Sequence, residues 1–222
     1  MRSPPSYPRV AHVPPAPAAT RDDLVLDDGS LRALLAQPVV VEEKLDGANV
    51  MLWVEDDVVH AATRGGPGAR DRSGQLGPLR AWVAERAPSL RGLLTNGWIL
   101  YGEWMWLRHS VRYDALPELL IGLDLCSPDT GFASLVERDR TLARAGLVPP
   151  PRLFDGVLRT RRRLDELLAT SRYGDDRAEG LIVRPVDATR AGVRLAKVVA
   201  PAFVGRTDES WRGQRERNAV VR

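Results

Sequence analysis

Two lysines stand in a chain of 222 residues whose lysines and arginines together number thirty-two, so thirty of its basic residues are arginine. A guanidinium stays protonated, whereas an ammonium that is desolvated or crowded by other cations can shed its proton and attack an electrophile. The two lysines, Lys44 in VVVEEKLDGAN and Lys197 in RLAKVV, are therefore where nucleophilic chemistry is to be sought. Lys44 follows a β-branched run that reads as a buried strand, and Asp46-Gly47 breaks that strand in a tight turn. The amine is thereby presented at a strand end, in a pocket rather than on an open face. Glu103 in LYGEWMW and Glu179 in AEGLIVRP sit in comparably apolar stretches. Buried charges are expensive unless they are paired or functional. Two internal Lys–Glu salt bridges would account for any one pair. Four such charges, each at a strand end or beside a glycine, point to a single site.

The elements that must position these residues are legible along the chain. Residues 1–20 are rich in proline and alanine and read as extended, either a tail or a strap laid over the domain. Ser30 reads as the N-cap of a helix over 31–36 that Pro38 ends. Strands are expected at 39–43 and 49–55, with a hairpin at Asp56-Asp57 leading into a third at 58–63. Residues 64–77 form a glycine-rich charged loop of the kind that orders on a ligand. Two helical segments, 79–86 and 89–94, are split by Pro88. Strands at 98–104 and 119–126 precede a helix over 134–146 with Ser134 as N-cap, Glu137 in the capping-box position and Gly146 as terminator. A strand at 152–157, a helix over 160–171 and an antiparallel pair at 180–184 and 193–199 complete the body. Residues 206–222 read as a basic, frayed tail. Many strands with interspersed helices indicate an α+β class, one domain over 21–205.

Composition narrows the partners. A chain that is 44% hydrophobic and 27% charged is that of an ordinary globular protein. No apolar run approaches the roughly 20 residues that span a bilayer, and the N-terminus lacks a signal-peptide core, so no membrane partner and a cytoplasmic location are expected. A single cysteine, Cys126, excludes an internal disulfide and any multi-cysteine zinc site. The net charge is only +3, yet arginine dominates it, which suits phosphate and base partners. His12, His60 and His109 are scattered and read as packing or surface residues rather than metal ligands. Arg159–Arg163 reads as a solvated helix start, and the arginines around Trp211 suit single-stranded nucleic acid.

Taken in order, KLDG, YGEW, LIGLDL, EGLIVRP and RLAKVV resemble the five motifs of the covalent nucleotidyltransferase superfamily, the ATP-dependent RNA and DNA ligases and the GTP-dependent capping enzymes. Asn49 is similar to the RNA ligases of the second T-even phage type and the trypanosome editing ligases. YPRVAHVPP and HSVRYDALPELLIGLDL look like stretches of bacterial RNA-ligase relatives. The resemblance runs from residue 7 to about 204. It implies a ligase adenylation domain of antiparallel sheets and flanking helices, with Lys44 attacking the α-phosphate of ATP to form a lysyl-AMP, and Lys197, Glu179 and Asp46 beside it as catalytic groups. It implies Mg²⁺ (or Mn²⁺) at Glu179 and Glu103, and nucleotide contacts from Glu103, Arg64, Asn49, and Glu42 or Glu43. Lys197, Arg64 and the metal would lower the lysine pKa. The position where the family stacks an aromatic on adenine is Leu123, and Arg194 would cover the second cationic role of the fifth motif. RNA, as a nicked duplex or as ends, is the implied partner, with DNA a possible one. Because the sequence ends about 25 residues after Lys197, a partner protein supplying end recognition is also implied. The alternatives are a DNA ligase, a GTP-using capping enzyme and a catalytically dormant nucleic-acid-binding module of the same fold.

Overall fold

The computed structural model describes residues 4–16, 23–63, 66, 74–188, 192–203 and 216–221, and among these it holds two five-stranded sheets and five α-helices. The first sheet has the order β1 (Ala11–His12), β10 (Ala196–Val199), β9 (Gly180–Pro185), β2 (Pro38–Lys44) and β8 (Arg152–Val157). The second has the order β4 (Val58–Thr63), β3 (Ala48–Glu55), β5 (Ile99–Trp104), β6 (Leu120–Ser127) and β7 (Gly131–Phe132). Only the β1–β10 pair is parallel. Arg64 and most of the 64–77 loop lie outside the described residues, as does Trp211. Among the described residues no helix is long and apolar enough to cross a membrane.

Side-chain alternation assigns the two faces of each sheet. On the first sheet Val39, Val41, Leu181, Val183, Ala196 and Val198 pack with Leu34 and Leu35 of α1 (Asp28–Leu35) and Leu164 of α5 (Arg161–Asp165). Their neighbours in sequence, Glu42, Lys44, Arg184 and Lys197, therefore share the opposite face. On the second sheet Val50, Leu52, Leu100, Trp104 and Leu120 pack with α2 (Leu76–Glu85), α3 (Ala87–Leu93) and Leu142 of α4 (Leu135–Arg144). Asn49, Met51, Tyr101 and Glu103 are left on the other face. Each sheet thus buries an apolar side under helices and turns its charged side toward the other sheet.

Several boundaries differ from the sequence expectation for local reasons. The first helix starts at Asp28 because Asp27, not Ser30, is the cap: its carboxylate accepts the Ser30 amide at 2.7 Å. The helix expected over 160–171 is only five residues long, and the chain then turns so that Thr170 bridges Arg177. The last strand is confined to Ala196–Val199. The end of the basic tail is not frayed. Leu107 and Leu116 bridge Arg217 and Val220, and the buried Asn218 accepts the Tyr113 amide at 3.0 Å while donating to the Met105 carbonyl at 2.8 Å. The 134–146 expectation holds closely, with the Ser134 hydroxyl accepting the Glu137 amide and Gly146 at φ +71 ending the turn.

Two of the glycines required by close approach rather than by φ flank the Lys44–Glu179 pair. A Cβ on Gly180 would sit 2.0 Å from the Val198 carbonyl oxygen, and one on Gly47 would sit 2.7 Å from the Trp104 carbonyl oxygen. Backbone atoms cannot yield as a flexible side chain would. Gly180→Ala is therefore expected to force β9 and β10 apart, at a cost of about 3 kcal/mol in a urea unfolding titration.

Candidate active site

Lys44 ends β2, and its strand register, Lys44 opposite Gly180, brings it next to Glu179 at the entry of β9. Lys44 Nζ lies 2.5 Å from Glu179 Oε2, with 26% of the lysine side chain and 16% of the glutamate still exposed. The pair faces solvent on one side only. The turn that follows brings in the second sheet: the Gly47 amide donates to Glu103 Oε1 at 3.1 Å. Glu103 stands opposite Asn49 in the β3–β5 ladder, so both reach the same region. Lys197 lies on β10 opposite Ile182, which is itself opposite Glu42, on the face that carries Lys44. Lys44, Glu179, Glu103, Asn49 and Lys197 are thus gathered around one cleft between the sheets.

Asp46, expected beside Lys44 as a catalytic group, has a structural occupation. Its Oδ2 accepts the amides of Ser110 at 2.6 Å and Val111 at 3.0 Å, and its own amide donates to the Tyr113 hydroxyl at 2.9 Å. The buried His109 Nδ1 is 3.8 Å from Asp46 Oδ1. Asp46 therefore pins the 109–113 loop to the end of β2. Asn218 holds the same loop from its other side.

Three carboxylates set the charge of the Lys44 amine. Burial draws the Lys44 pKa down, but Glu179, Glu103 and Asp46 outweigh it and hold the amine above the ordinary lysine value. Within the described protein Lys44 is an ammonium, because three carboxylates face it at close range. The carboxylates respond in kind. Burial pushes Glu103 up to about 7 against the pull of Lys44, with Glu179 adding to the rise. Burial also raises Glu179, opposed by Lys44.

Away from the lysine, the sheets are joined by a ladder of alternating charge that the sequence reading missed. Arg138 of α4, 1% exposed, donates to Glu42 Oε1 at 2.6 Å; Arg184 donates to Glu42 Oε2 at 2.6 Å and to Asp124 Oδ1 at 2.8 Å; Arg194 donates to Asp124 Oδ2 at 2.9 Å. Both Arg138 and Arg184 also donate to the Leu123 carbonyl at 3.0 Å. That carbonyl is available because the β5–β6 register shifts between Tyr101 and Gly102, pairing them with Asp124 and Gly122 and leaving Leu123 as the extra residue of a bulge. The Tyr7 hydroxyl donates to Asp124, and its ring packs 5.0 Å from Tyr101. The Arg194 guanidinium lies 3.7 Å over Phe132. The sequence signal that could have revealed the ladder is Arg138 itself, on the same helix face as Leu135 and Leu142, where an apolar residue is the rule.

Glu42, expected as one of two possible readers of an adenine edge, is bound on both oxygens by Arg138 and Arg184 and is 1% exposed. Glu43, on the opposite face, is buried, accepts the Ser171 hydroxyl at 2.5 Å and the Arg172 amide at 2.9 Å, and is raised in pKa by burial. Arg194 likewise has its guanidinium on Asp124 and Phe132. In this structure all three are occupied by protein partners, and for the buried Glu42 and Glu43 the depth of the charge requires it.

Among the described residues, no three His, Cys, Asp or Glu side chains converge as a ready cage for a metal ion. Glu179 nevertheless adds to the burial that raises the pKa of Glu103. Two crowded carboxylates opening on a cleft fit a hard divalent cation whose remaining ligands are water and phosphate oxygens.

Two outcomes test this electrostatic layout. The folded state keeps a proton on Glu103 that the unfolded chain releases, so this group's contribution to stability falls as pH rises from about 4.5 to about 7. Glu103→Gln cannot ionise and should lose that part of the decline, seen as a flatter urea midpoint between pH 4.5 and 7.5. Glu42→Gln leaves two buried guanidiniums short of a counter-charge and should cost about 3–5 kcal/mol in the same titration.

A family model described as RNA ligase matches residues 37–199. An RNA ligase of Naegleria gruberi with PPi superposes with a TM-score of 0.59 at 19% identity, over 78% of this chain and 52% of that one. A mutant of that ligase with ATP and Mn gives 0.55 at 15% identity, over 90% and 62%, and another with AMP and Mn gives 0.57 at 16%, over 92% and 63%. The chain spans from about half to just under two thirds of the length of these ligases, and the likeness is one of fold. No curated protein matches.

Proposed function

The chain belongs to the RNA ligase family, and from that premise we propose that it is an ATP-dependent RNA ligase in which Lys44 is the nucleophile. The observation that carries the reading is the Lys44 amine, 2.5 Å from Glu179 in a cleft that also holds Glu103 and Lys197. The ATP, AMP and Mn present with the Naegleria ligases support ATP and a divalent cation, Mg²⁺ or Mn²⁺, for this chain.

The first step forms a bond from Lys44 Nζ to the α-phosphorus and breaks the bond to pyrophosphate. Lys44 must first give up a proton, and Glu179, in direct contact and raised in pKa by burial, is the nearest acceptor. A divalent cation held by Glu179, Glu103 and the phosphate oxygens would supply positive charge against both the carboxylates and the triphosphate. Lys197, on the same face of the first sheet as Lys44, neutralises charge that builds on the α-phosphate. Glu103 and Asn49, opposite each other on β5 and β3, would contact the sugar and phosphate of the nucleotide. AMP then moves from Lys44 to an RNA 5′-phosphate, and a 3′-hydroxyl displaces it to close the phosphodiester. Asp46 acts indirectly, by fixing the loop against which the lysine turn is built.

The test is incubation with α-labelled ATP and the divalent cation, then denaturing electrophoresis. Wild-type protein should retain acid-stable label from ATP and not GTP, and Lys44→Ala should retain none. Label from GTP would make the protein a capping-type enzyme, and no label at all would sink the proposal. Sealing of nicked duplexes with RNA or DNA 3′-hydroxyl strands then sets the substrate.

A further inference from the structure

The N-terminal strap brings two side chains to Lys197 that the reaction above does not use. β1 runs parallel to β10 with His12 opposite Lys197, and the Val13 amide donates to the Lys197 carbonyl at 2.8 Å. A second pass of the chain lies outside it: His12 donates its amide to the Leu24 carbonyl at 2.7 Å and accepts the Leu26 amide at 2.9 Å. This double edge places the Asp23 carboxylate between two bases. Asp23 Oδ1 is 3.6 Å from His12 Nε2 and 3.8 Å from Lys197 Nζ. His12 is buried, at 5% exposure, while Lys197 and Asp23 keep 22% and 31% of their side-chain surface.

We propose that His12 and Asp23 are positioning residues for Lys197, with one carboxylate oxygen shared between the imidazole and the ammonium so that the lysine side chain is aimed from the sheet edge into the cleft. The inference rests on the reading of Lys197 as the group that meets the α-phosphate. A lysine side chain is a flexible stem with a point charge, and unguided it samples many rotamers. Asp23 gives it one anchor, and the buried neutral imidazole behind that anchor keeps the carboxylate from turning away.

The arrangement has a consequence for pH. The charged groups facing His12 are Asp23 from the strap, Lys197 from β10 and Lys44 from β2. Burial and the two lysines pull its pKa below 6.5, while Asp23 opposes them. His12 is thus neutral at neutral pH, and Asp23 belongs to Lys197. Below that range a protonated His12 competes for Asp23 and adds a third positive charge near both lysines.

With only two lysines in the chain, ¹³C-lysine labelling of the full chain yields two side-chain resonances, assigned by Lys44→Ala. The Lys197 resonance should shift as His12, followed by its own ring signal, titrates, and that step should vanish in His12→Asn. A Lys197 signal that stays flat through the His12 titration, or is unchanged in the variant, overturns the proposal. This measurement needs no enzymatic activity. Asp23→Asn, which leaves the buried ring in place, provides a second arm. It should slow single-turnover self-adenylylation about tenfold, less than loss of a direct transition-state donor costs, with the ATP half-saturation little changed and Asp23→Glu recovering most of the rate. An unaltered rate in Asp23→Asn, or a loss matched by a lower melting temperature, also overturns it. Wild-type protein that takes no label yet keeps the coupled titration would refute the ligase reading alone.

Discussion

Charge compensation between two sheets is the constraint on which this structure depends. Each sheet buries one apolar side under helices, and between them carboxylates, guanidiniums and ammoniums lie beside a smaller apolar cluster around Met51 and Tyr101. In so sheltered a layer an unmatched charge costs several kcal/mol. Glu42 therefore meets Arg138 and Arg184, Asp124 meets Arg184 and Arg194, and Glu179 meets Lys44. The ladder holds the sheets in register with each other, and its open end is the cleft where Lys44 and Glu103 retain contact with water.

The two ends of that layer differ in how completely they are satisfied. At the ladder, each carboxylate oxygen of Glu42 and Asp124 has a guanidinium donor, and Asp124 is depressed in pKa because Arg184 and Arg194 overcome its burial. At the cleft, Glu103 and Glu179 both face Lys44, with Lys197 also acting on Glu179, and burial still prevails in both, lifting their pKa values. The carboxylates around Lys44 hold its pKa above the ordinary lysine value. Rigidity at one end and partly unsatisfied carboxylates at the other suit the metal-bound triphosphate proposed for the cleft.

Much of this was legible in local pattern. The β-branched run before Lys44, the Asp56-Asp57 hairpin, the cap at Ser134 and the antiparallel pair carrying Glu179 and Lys197 are written in propensities and turn chemistry. Each involves residues near in sequence, or a strong period. The mistaken boundaries have the same origin. Asp27 and Ser30 are both good caps, and the choice between them is settled by where the helix meets the sheet. Asn218 gave no sign that it would anchor a loop, since its partners lie more than a hundred residues earlier.

The residue types alone singled out Lys44, Glu103, Glu179 and Lys197, because lysine kept among thirty arginines and charge kept in apolar strands both need a reason. Tertiary structure alone decided who pairs with whom. Asp46 turned out to bind backbone amides, Glu42 to join a ladder, and Lys197 to meet Asp23 beside His12. Electrostatic energy falls with distance through space, and the sequence records only distance along the chain.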